Sequence, residues 1–169
     1  MGPKGRMSFR MIRFVHETLY GLFRDPVKAL SAAGLGPGQQ ALEIGCGPGF
    51  FTIPAAEIVG GGGRVVALDV NPLAVEHVQK KIEREGVTNA RTVLADAART
   101  NLADQSFDLV FVFGLAHARG GVDKIWPELH RVLKSQGILA VEGRLGPPES
   151  LFEAVRREGR ISQFRKMDR

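Results

Sequence analysis

Apolar positions along the chain alternate between short continuous runs and stretches with helical spacing, and this alternation predicts the fold class. The runs that are predicted to be strands are 40–45, 64–69, 91–96, 106–114 and 138–142. The stretches that are predicted to be helices are 9–23, 27–33, 50–59, 72–85 and 123–134. Strands that alternate with helices favour an α/β fold with a doubly wound, mostly parallel sheet.

The two ends of the chain depart from this alternation. Residues 1–37 are predicted to form an N-terminal helical cap, and residues 38–145 form the alternating core. In residues 146–169 the pattern predicts a helix from Glu149 to Glu158 and weak strand character at Ile161–Met167, which leaves room for six strands. Whether Ile161–Met167 pairs with the fifth strand, pairs across a dimer or stays loose is open. We interpret residues 1–169 as a single domain.

Three glycines mark the junction between the first strand and the helix after it. Gly45, Gly47 and Gly49 stand at every second position, and Glu43 lies two residues before the first of them. Glycine admits positive φ and lets the backbone approach a ligand without a Cβ in the way. The spacing differs from the G-x-G-x-x-G of dinucleotide sites and from the phosphate loop. The turn therefore predicts a nucleotide or nucleoside site whose ligand the turn alone does not name.

Acidic residues end the next two strands. Asp69 follows the run 64–68, and Asp96 follows the run 91–95. Because the carboxyl ends of neighbouring parallel strands form the ligand crevice of such sheets, Asp69 is expected beside the glycine turn. A carboxylate there can accept hydrogen bonds from both hydroxyls of a ribose. Nicotinamide-binding proteins share this pairing, so a nucleoside ligand is predicted without its identity.

Glu43, the three glycines, Asp69 and Asp96 together resemble the motifs of class I S-adenosylmethionine (SAM) dependent methyltransferases, in the group that resembles the ubiquinone and menaquinone biosynthesis methyltransferases. The resemblance covers roughly residues 38–145. It extends to the apolar run 106–114 and to the helix, turn and strand over 128–142. It implies SAM as the cofactor, S-adenosylhomocysteine as the product, and an N-terminal cap that helps to shape the substrate pocket.

The resemblance also assigns roles to single residues. It implies that the glycine turn, Glu43 and Phe113 hold the methionine part, that Asp69 holds the ribose, and that Asp96 and Ala97 meet the adenine. The implied cofactor-binding residues are Glu43, Gly45, Cys46, Gly47, Gly49, Asp69, Val70, Asp96, Ala97 and Phe113.

The acceptor side of the site is less defined. His117 follows the fourth strand where the transferred methyl group is expected, and a histidine there can act as a general base. Many such enzymes instead work by alignment and need no base. The other candidate substrate contacts are His16, Tyr20, Glu142 and Arg144. The sequence Phe113-Gly114-Leu115-Ala116 stands where nucleic-acid amino-methylating enzymes carry N-P-P-[YF], so a small-molecule acceptor is favoured.

Charge and cysteine content add expectations about partners and location. The net charge of +5 comes from basic ends, with +8 over residues 1–13 and 156–169 together, which keeps RNA as an alternative partner. The single cysteine favours a cytoplasmic protein, and no apolar run reaches the roughly 18 residues of a membrane span. The four histidines and the cysteine have no metal-ligand spacing, so no metal site is expected. The C-terminal edge of the sheet is a candidate homodimer surface.

Two other classes of function remain compatible with the sequence. A SAM-binding regulatory or subunit protein without transfer activity would need the same cofactor residues. A nicotinamide-dependent oxidoreductase would share the glycine turn and Asp69. An RNA or protein methyltransferase is a third alternative, and it differs from the main hypothesis only in the acceptor.

Overall fold

Seven strands of the chain form one sheet. They are β1 (Gln40–Ile44), β2 (Arg64–Asp69), β3 (Ala90–Leu94), β4 (Phe107–Val112), β5 (Leu133–Glu142), β6 (Phe152–Glu158) and β7 (Ile161–Lys166). Their order across the sheet is β3-β2-β1-β4-β5-β7-β6. Strands β1 to β5 are parallel, and β7 runs antiparallel to β5 and β6. The structure, a computed structural model, describes residues 25–113, 121–144 and 146–168.

Four α-helices connect or cover these strands within the described residues. They are α1 (Pro26–Ala32), α2 (Thr52–Val59), α3 (Pro72–Arg84) and α4 (Trp126–Val132), and a 3-10 turn (Val122–Lys124) precedes α4. Asp25 and Asn71 begin α1 and α3, because each side chain accepts hydrogen bonds from N–H groups of the first turn and each is followed by proline. The predicted starts at residues 27 and 72 lie within one residue of the observed ones.

Helices cover both faces of the sheet. Alternate residues of β2 show the two layers, since Val65 and Ala67 pack toward α1, α2 and α3 while Val66 and Leu68 pack toward α4. The connection from β3 to β4 contains no α-helix, and apolar residues of 95–102 fill part of the α4 layer instead. Two covered faces explain why the central strands are continuous apolar runs. The predicted doubly wound α/β fold is confirmed.

The helix before β5 is shorter than the predicted 123–134. α4 begins at Trp126, Pro127 lies in its first turn, and Lys134 already belongs to β5. Proline lacks the N–H that a helix interior needs, but the first turn leaves that group unpaired anyway. Of the predicted N-terminal cap, only α1 lies within the described residues, and the predicted helix 9–23 lies outside them.

The prediction for the secondary structure of the C-terminal end is wrong. The expected helix Glu149–Glu158 is β6 over Phe152–Glu158, and Ile161–Lys166 forms β7 between β5 and β6. The sheet therefore has a seventh strand, and the prediction of a shortened six-strand sheet fails. Of the three alternatives for Ile161–Met167, direct pairing with β5 is the one observed, in a register that places Glu142 opposite Ile161.

The physical reason for this error lies in the composition of β6. Glutamate, alanine and arginine favour helices in isolation, but tertiary pairing routinely overrides so weak a preference. A register shift between Ala154 and Arg156 also breaks the alternation that would mark a strand. Only Phe152 at its start is buried, and the rest of β6 is exposed, so no apolar stripe signals the strand.

Two substitutions in β6 distinguish a strand from a helix. In a helix Phe152 and Val155 would share a face, whereas here Phe152 is 2% exposed and Val155 is 42% exposed. We expect Phe152→Ala to lower the free energy of unfolding by about 3–5 kcal/mol. We expect Val155→Ala to lower it by less than about 1 kcal/mol. Urea denaturation measures both, and similar losses for the two variants would contradict the strand.

Candidate functional site

The site lies where the order of the strands reverses. β1 lies between β2 and β4, and the chain continues from β1 outward to β2 and β3 before it returns to β4 on the other side. At such a switch point the connections after the strands diverge and leave a crevice at their carboxyl ends. The glycine turn follows β1 directly, so it lies in this crevice.

The glycine turn requires its glycines for two different reasons. Gly45, Gly47 and Gly49 all have positive φ, at 74°, 50° and 77°. A Cβ on Gly49 would lie 2.9 Å from Cγ2 of Val78, so α3 packs directly against this part of the turn. A Cβ on Gly47 would meet nothing within 4 Å, which leaves open space beside the backbone there. The turn therefore has one side packed against α3 and one side with open space.

Asp69 lies beside the turn, as its position at the end of β2 predicts. Its Oδ2 accepts a hydrogen bond of 2.9 Å from Gly47 N, and its Oδ1 accepts one of 2.8 Å from Asn71 N. Each oxygen retains acceptor capacity for a further donor. The carboxylate thus joins the glycine turn to the start of α3 and remains able to bind a hydroxyl group.

Glu43 is enclosed beneath the turn. The residue is 3% exposed, and its Oε2 accepts a hydrogen bond of 2.6 Å from Oγ1 of Thr52, the first residue of α2. Burial, with a smaller contribution from the negative charge of Asp69, raises the pKa of Glu43 to about 8, against the opposing effects of the Thr52 hydrogen bond and of Lys81. Glu43 is therefore a neutral carboxylic acid at pH 7 that connects the two sides of the turn.

Asp96 lies on an exposed turn after β3. Its Oδ1 accepts from Ala98 N at 2.8 Å, and its carbonyl oxygen accepts from Arg99 N at 2.9 Å. Ala97 beside it is half-buried. Near the carboxyl ends of β2 and β3, two apolar side chains face solvent, Val70 at 50% and Leu94 at 56% exposure. Exposed apolar groups beside a carboxylate are suited to a flat ligand with polar edges.

The side chains of Cys46 and Phe113 are buried. Cys46 packs among Ile53 and Val78, and burial raises the pKa of its thiol above the usual range, so the thiol stays protonated. The ring of Phe113 lies 5.0 Å from that of Phe51 in an edge-to-face contact. Any contact of Cys46 with a ligand would therefore use its backbone.

The predicted acceptor residues divide into two groups. His16, Tyr20 and His117 lie outside the described residues. Glu142 ends β5, and its Oε1 lies 3.6 Å from Nε of Arg160, which precedes β7. Arg144 is exposed two residues later. Gly143 N donates to Arg160 O at 2.8 Å, so these residues share the end of the sheet that carries the crevice.

Three residues of the site escape the sequence analysis. Thr52 bonds Glu43, Arg160 pairs with Glu142, and Lys81 of α3 donates from Nζ to the carbonyl oxygen of Gly49 at 3.2 Å. The only sequence signal for Lys81 is its place three residues after Val78, beside the apolar stripe of an amphipathic helix. Arg160 has no sequence signal, because its place depends on the antiparallel β7.

The described residues contain neither a cluster suited to a metal ion nor a helix suited to a membrane. Over 25–113, 121–144 and 146–168, no group of three or more potential ligand side chains could hold a metal ion. None of the helices described is long and apolar enough to cross a membrane.

Comparison with known proteins identifies a family. Residues 41–137 match the family described as "Methyltransferase domain". The demethylmenaquinone methyltransferase of Lactobacillus johnsonii is 35% identical over 106 residues, which are 62% of this chain and 43% of that protein. The ubiquinone/menaquinone biosynthesis C-methyltransferase of Hydrogenovibrio crunogenus is 35% identical over 115 residues, which are 67% of this chain and 45% of that protein. The chain thus spans less than half the length of these curated relatives.

A solved structure agrees with the fold. The crystal structure of a SAM-dependent methyltransferase from Aquifex aeolicus superimposes with a TM-score of 0.78 and covers 95% of this chain and 98% of that one. At 22% identity this likeness establishes the shared fold. The family match covers more than half of the 169 residues and includes the glycine turn, Asp69 and Asp96. The chain belongs to the class I SAM-dependent methyltransferases.

Proposed function

We propose that this chain binds SAM across the glycine turn and transfers its methyl group to a nucleophilic oxygen, nitrogen or carbon of a small-molecule acceptor. The observation that carries the proposal is the contact between Asp69 and Gly47, which joins a partly accessible carboxylate to a turn with open space on one side. This arrangement suits a ribose on the carboxylate and a chain of polar groups along the turn.

The remaining residues fit the other parts of SAM. We assign the adenine to the exposed apolar edge at Val70, with Asp96 and Ala97 as partners of its amino group and ring. We assign the methionine part to the backbone of Gly45, Cys46, Gly47 and Gly49 and to Phe113 at the end of β4. Because Glu43 is buried and bonded to Thr52, we assign it the support of the turn.

The chemistry of transfer depends mainly on alignment. When bound, SAM supplies a methyl group on a positively charged sulfur, and the protein must hold the acceptor nucleophile in line with the carbon–sulfur bond. The buried rings of Phe51 and Phe113 provide an apolar wall near the end of β4 that excludes water. We propose His117, which follows this strand in sequence, as the group that removes a proton from the acceptor.

The acceptor class follows from the relatives and from the predicted contacts. One relative is named for demethylmenaquinone and another for ubiquinone and menaquinone biosynthesis, so both act on small molecules. We propose a small molecule here too, bound by His16 and Tyr20 from the N-terminal segment and by Glu142 and Arg144 at the end of β5. The ion pair of Glu142 with Arg160 places charged groups at that end of the crevice.

RNA binding and homodimerisation remain secondary proposals. Exposed arginines of the β6–β7 hairpin, including Arg156, Arg157 and Arg160, favour an anionic partner such as RNA. β6 is the outer strand of the sheet and offers an edge for a second copy. Its charged residues and its irregular register are features that limit pairing between edges. The RNA and dimer proposals rest on this hairpin.

Calorimetric titration with SAM, S-adenosylhomocysteine and NADH tests the proposal. We expect SAM and S-adenosylhomocysteine to bind and NADH to bind at least a hundredfold more weakly. Incubation with methyl-labelled SAM and separate metabolite and RNA fractions then identifies the acceptor class. Binding of NADH alone would overturn the cofactor assignment, and label in RNA would overturn the small-molecule acceptor. SAM binding without label in any fraction would favour a regulatory protein.

Substitution of Asp69 tests the ribose contact. We expect Asp69→Ala to weaken SAM binding more than tenfold, because one or two charge-assisted hydrogen bonds of roughly 1.5–3 kcal/mol each are lost. Asp123→Ala removes the same charge from an exposed residue of the 3-10 turn and serves as the control. Calorimetry measures both dissociation constants. Equal affinities for the two variants would show that the ribose lies elsewhere.

Substitution of Glu43 tests the neutral carboxyl group. The folded protein keeps this proton up to about pH 8, while the unfolded chain loses it near the ordinary pKa of 4.5. Wild-type stability is therefore lost as the pH rises from 4.5 through 8. Glu43→Gln cannot ionise and retains an acceptor for Thr52, so its stability relative to wild type should rise by roughly 3–5 kcal/mol over that range.

Chemical denaturation between pH 4.5 and 8.5 measures the effect of Glu43→Gln. Glu57→Gln, a change of an exposed glutamate on α2, is the matched control for the loss of one carboxyl group. A difference between Glu43→Gln and wild type that stays constant across this pH range would mean that Glu43 is ionised in the folded protein.

A further inference from the structure

We propose that Lys81 is a positioning residue for the cofactor, because its ammonium group fixes the carbonyl of Gly49 and thereby the shape of the glycine turn. The inference rests on the proposed function of that turn. Lys81 Nζ lies 3.2 Å from Gly49 O, although the two residues are 32 positions apart in the chain. Nothing in the spacing of the glycine motif requires a lysine at this place.

The turn is held at two points, Gly47 and Gly49, by charged side chains of opposite sign. The carboxylate of Asp69 accepts from Gly47 N, and the ammonium of Lys81 donates to Gly49 O. The peptide group before Gly47 thus has a negative partner, and the peptide group after Gly49 has a positive one. Hydrogen bonds with an ionised partner are stronger than those between neutral groups, so both contacts restrict the turn.

Both charged residues come from the same continuous segment. Asp69 ends β2, its Oδ1 accepts from Asn71 N, and the side chain of Asn71 begins α3 by accepting from Leu73 N. About two and a half turns of that helix then carry Lys81 back to Gly49. The β2–α3 unit therefore forms a clamp around the turn, with one charged group at each end.

Packing of α3 against the turn allows Lys81 to reach its partner. A Cβ on Gly49 would lie 2.9 Å from Val78, so the helix approaches the turn at this position as closely as glycine permits. Lys81 is three residues later, on the same side of α3, and is half-buried. The aliphatic part of a lysine can cover apolar surface while its ammonium reaches a polar partner at the edge.

Lys81 also acts on the charge balance beneath the turn. Its ammonium is one of the groups that lower the pKa of Glu43, against burial and the charge of Asp69. The charged and titratable groups that determine the ionisation of Glu43 are therefore Asp69 and Lys81. Removal of the Lys81 charge should raise the Glu43 pKa further, which gives a measurement independent of any ligand.

The test compares Lys81→Met with Lys80→Met. Lys80 is the neighbouring lysine of α3, is exposed and pairs with Glu76, so its substitution removes the same charge without contact to the turn. We expect Lys81→Met to weaken the binding of SAM and of S-adenosylhomocysteine about five- to tenfold by calorimetry. We expect Lys80→Met to change either affinity less than twofold, and Lys81→Arg to recover most of the loss.

Three further measurements separate positioning from general stability. Differential scanning calorimetry should give similar melting temperatures for Lys81→Met and Lys80→Met. In the ligand-free protein, exchange of the Gly47 amide hydrogen should accelerate, and the Glu43 pKa from carbon NMR should rise, in Lys81→Met only. An affinity loss that follows the melting temperature would overturn the proposal, as would equal affinities, amide exchange rates and Glu43 pKa values in the two variants.

The experiment also distinguishes this inference from the proposed function. If wild type fails to bind SAM, the cofactor assignment fails, whereas the ligand-free amide exchange and the Glu43 pKa still test the clamp. If Lys81→Met does not fold, Lys81→Gln replaces it, since glutamine keeps a donor but removes the charge. Normal affinity for SAM in a folded Lys81→Gln with an unchanged Glu43 pKa would overturn the role of the charge.

Discussion

The hydrogen bond from Gly47 N–H to Asp69 determines much of the site, because it joins the turn after β1 to the end of β2. Two neighbouring parallel strands bring their carboxyl ends together, but their connections diverge, so something must hold the two loops at a fixed separation. The carboxylate does this with one oxygen and fixes the start of α3 with the other. The two loops at the proposed cofactor site are thus joined by a side chain of the protein itself.

Two carboxyl groups close to this turn have opposite roles because their surroundings differ. Asp69 accepts two backbone N–H groups at the edge of the crevice and is half-buried. Glu43 is enclosed between the sheet and α2 and has the Thr52 hydroxyl as its side-chain hydrogen-bond partner, so burial favours its neutral form. A second negative charge under the turn would repel Asp69 and any carboxylate bound above. The neutral acid avoids this repulsion and still connects β1 to α2.

The parts of the fold that the sequence predicts are those in which local pattern and tertiary structure agree. Buried parallel strands appear as continuous apolar runs, and Asp25 and Asn71 before prolines mark helix starts. The glycines and Asp69 are predictable because each stands at a strand end, where topology alone brings them together. β6 is not predictable, since its residues favour a helix and only pairing with β7 makes it a strand. Lys81 escapes prediction for a similar reason, because its partner is 32 residues away.

The direction of β7 has a consequence for how this fold can acquire new substrates. Because β7 is antiparallel to β5, the turn between β6 and β7 at Gly159 lies at the crevice end of the sheet, beside Glu142. The glycine turn after β1 is separated from this hairpin by β4 and β5 and belongs to a different strand connection. Insertions at Gly159 would reshape the proposed acceptor side and leave the proposed cofactor turn unchanged. The hairpin is therefore a natural place for laboratory evolution of acceptor specificity, with the methyl donor held constant.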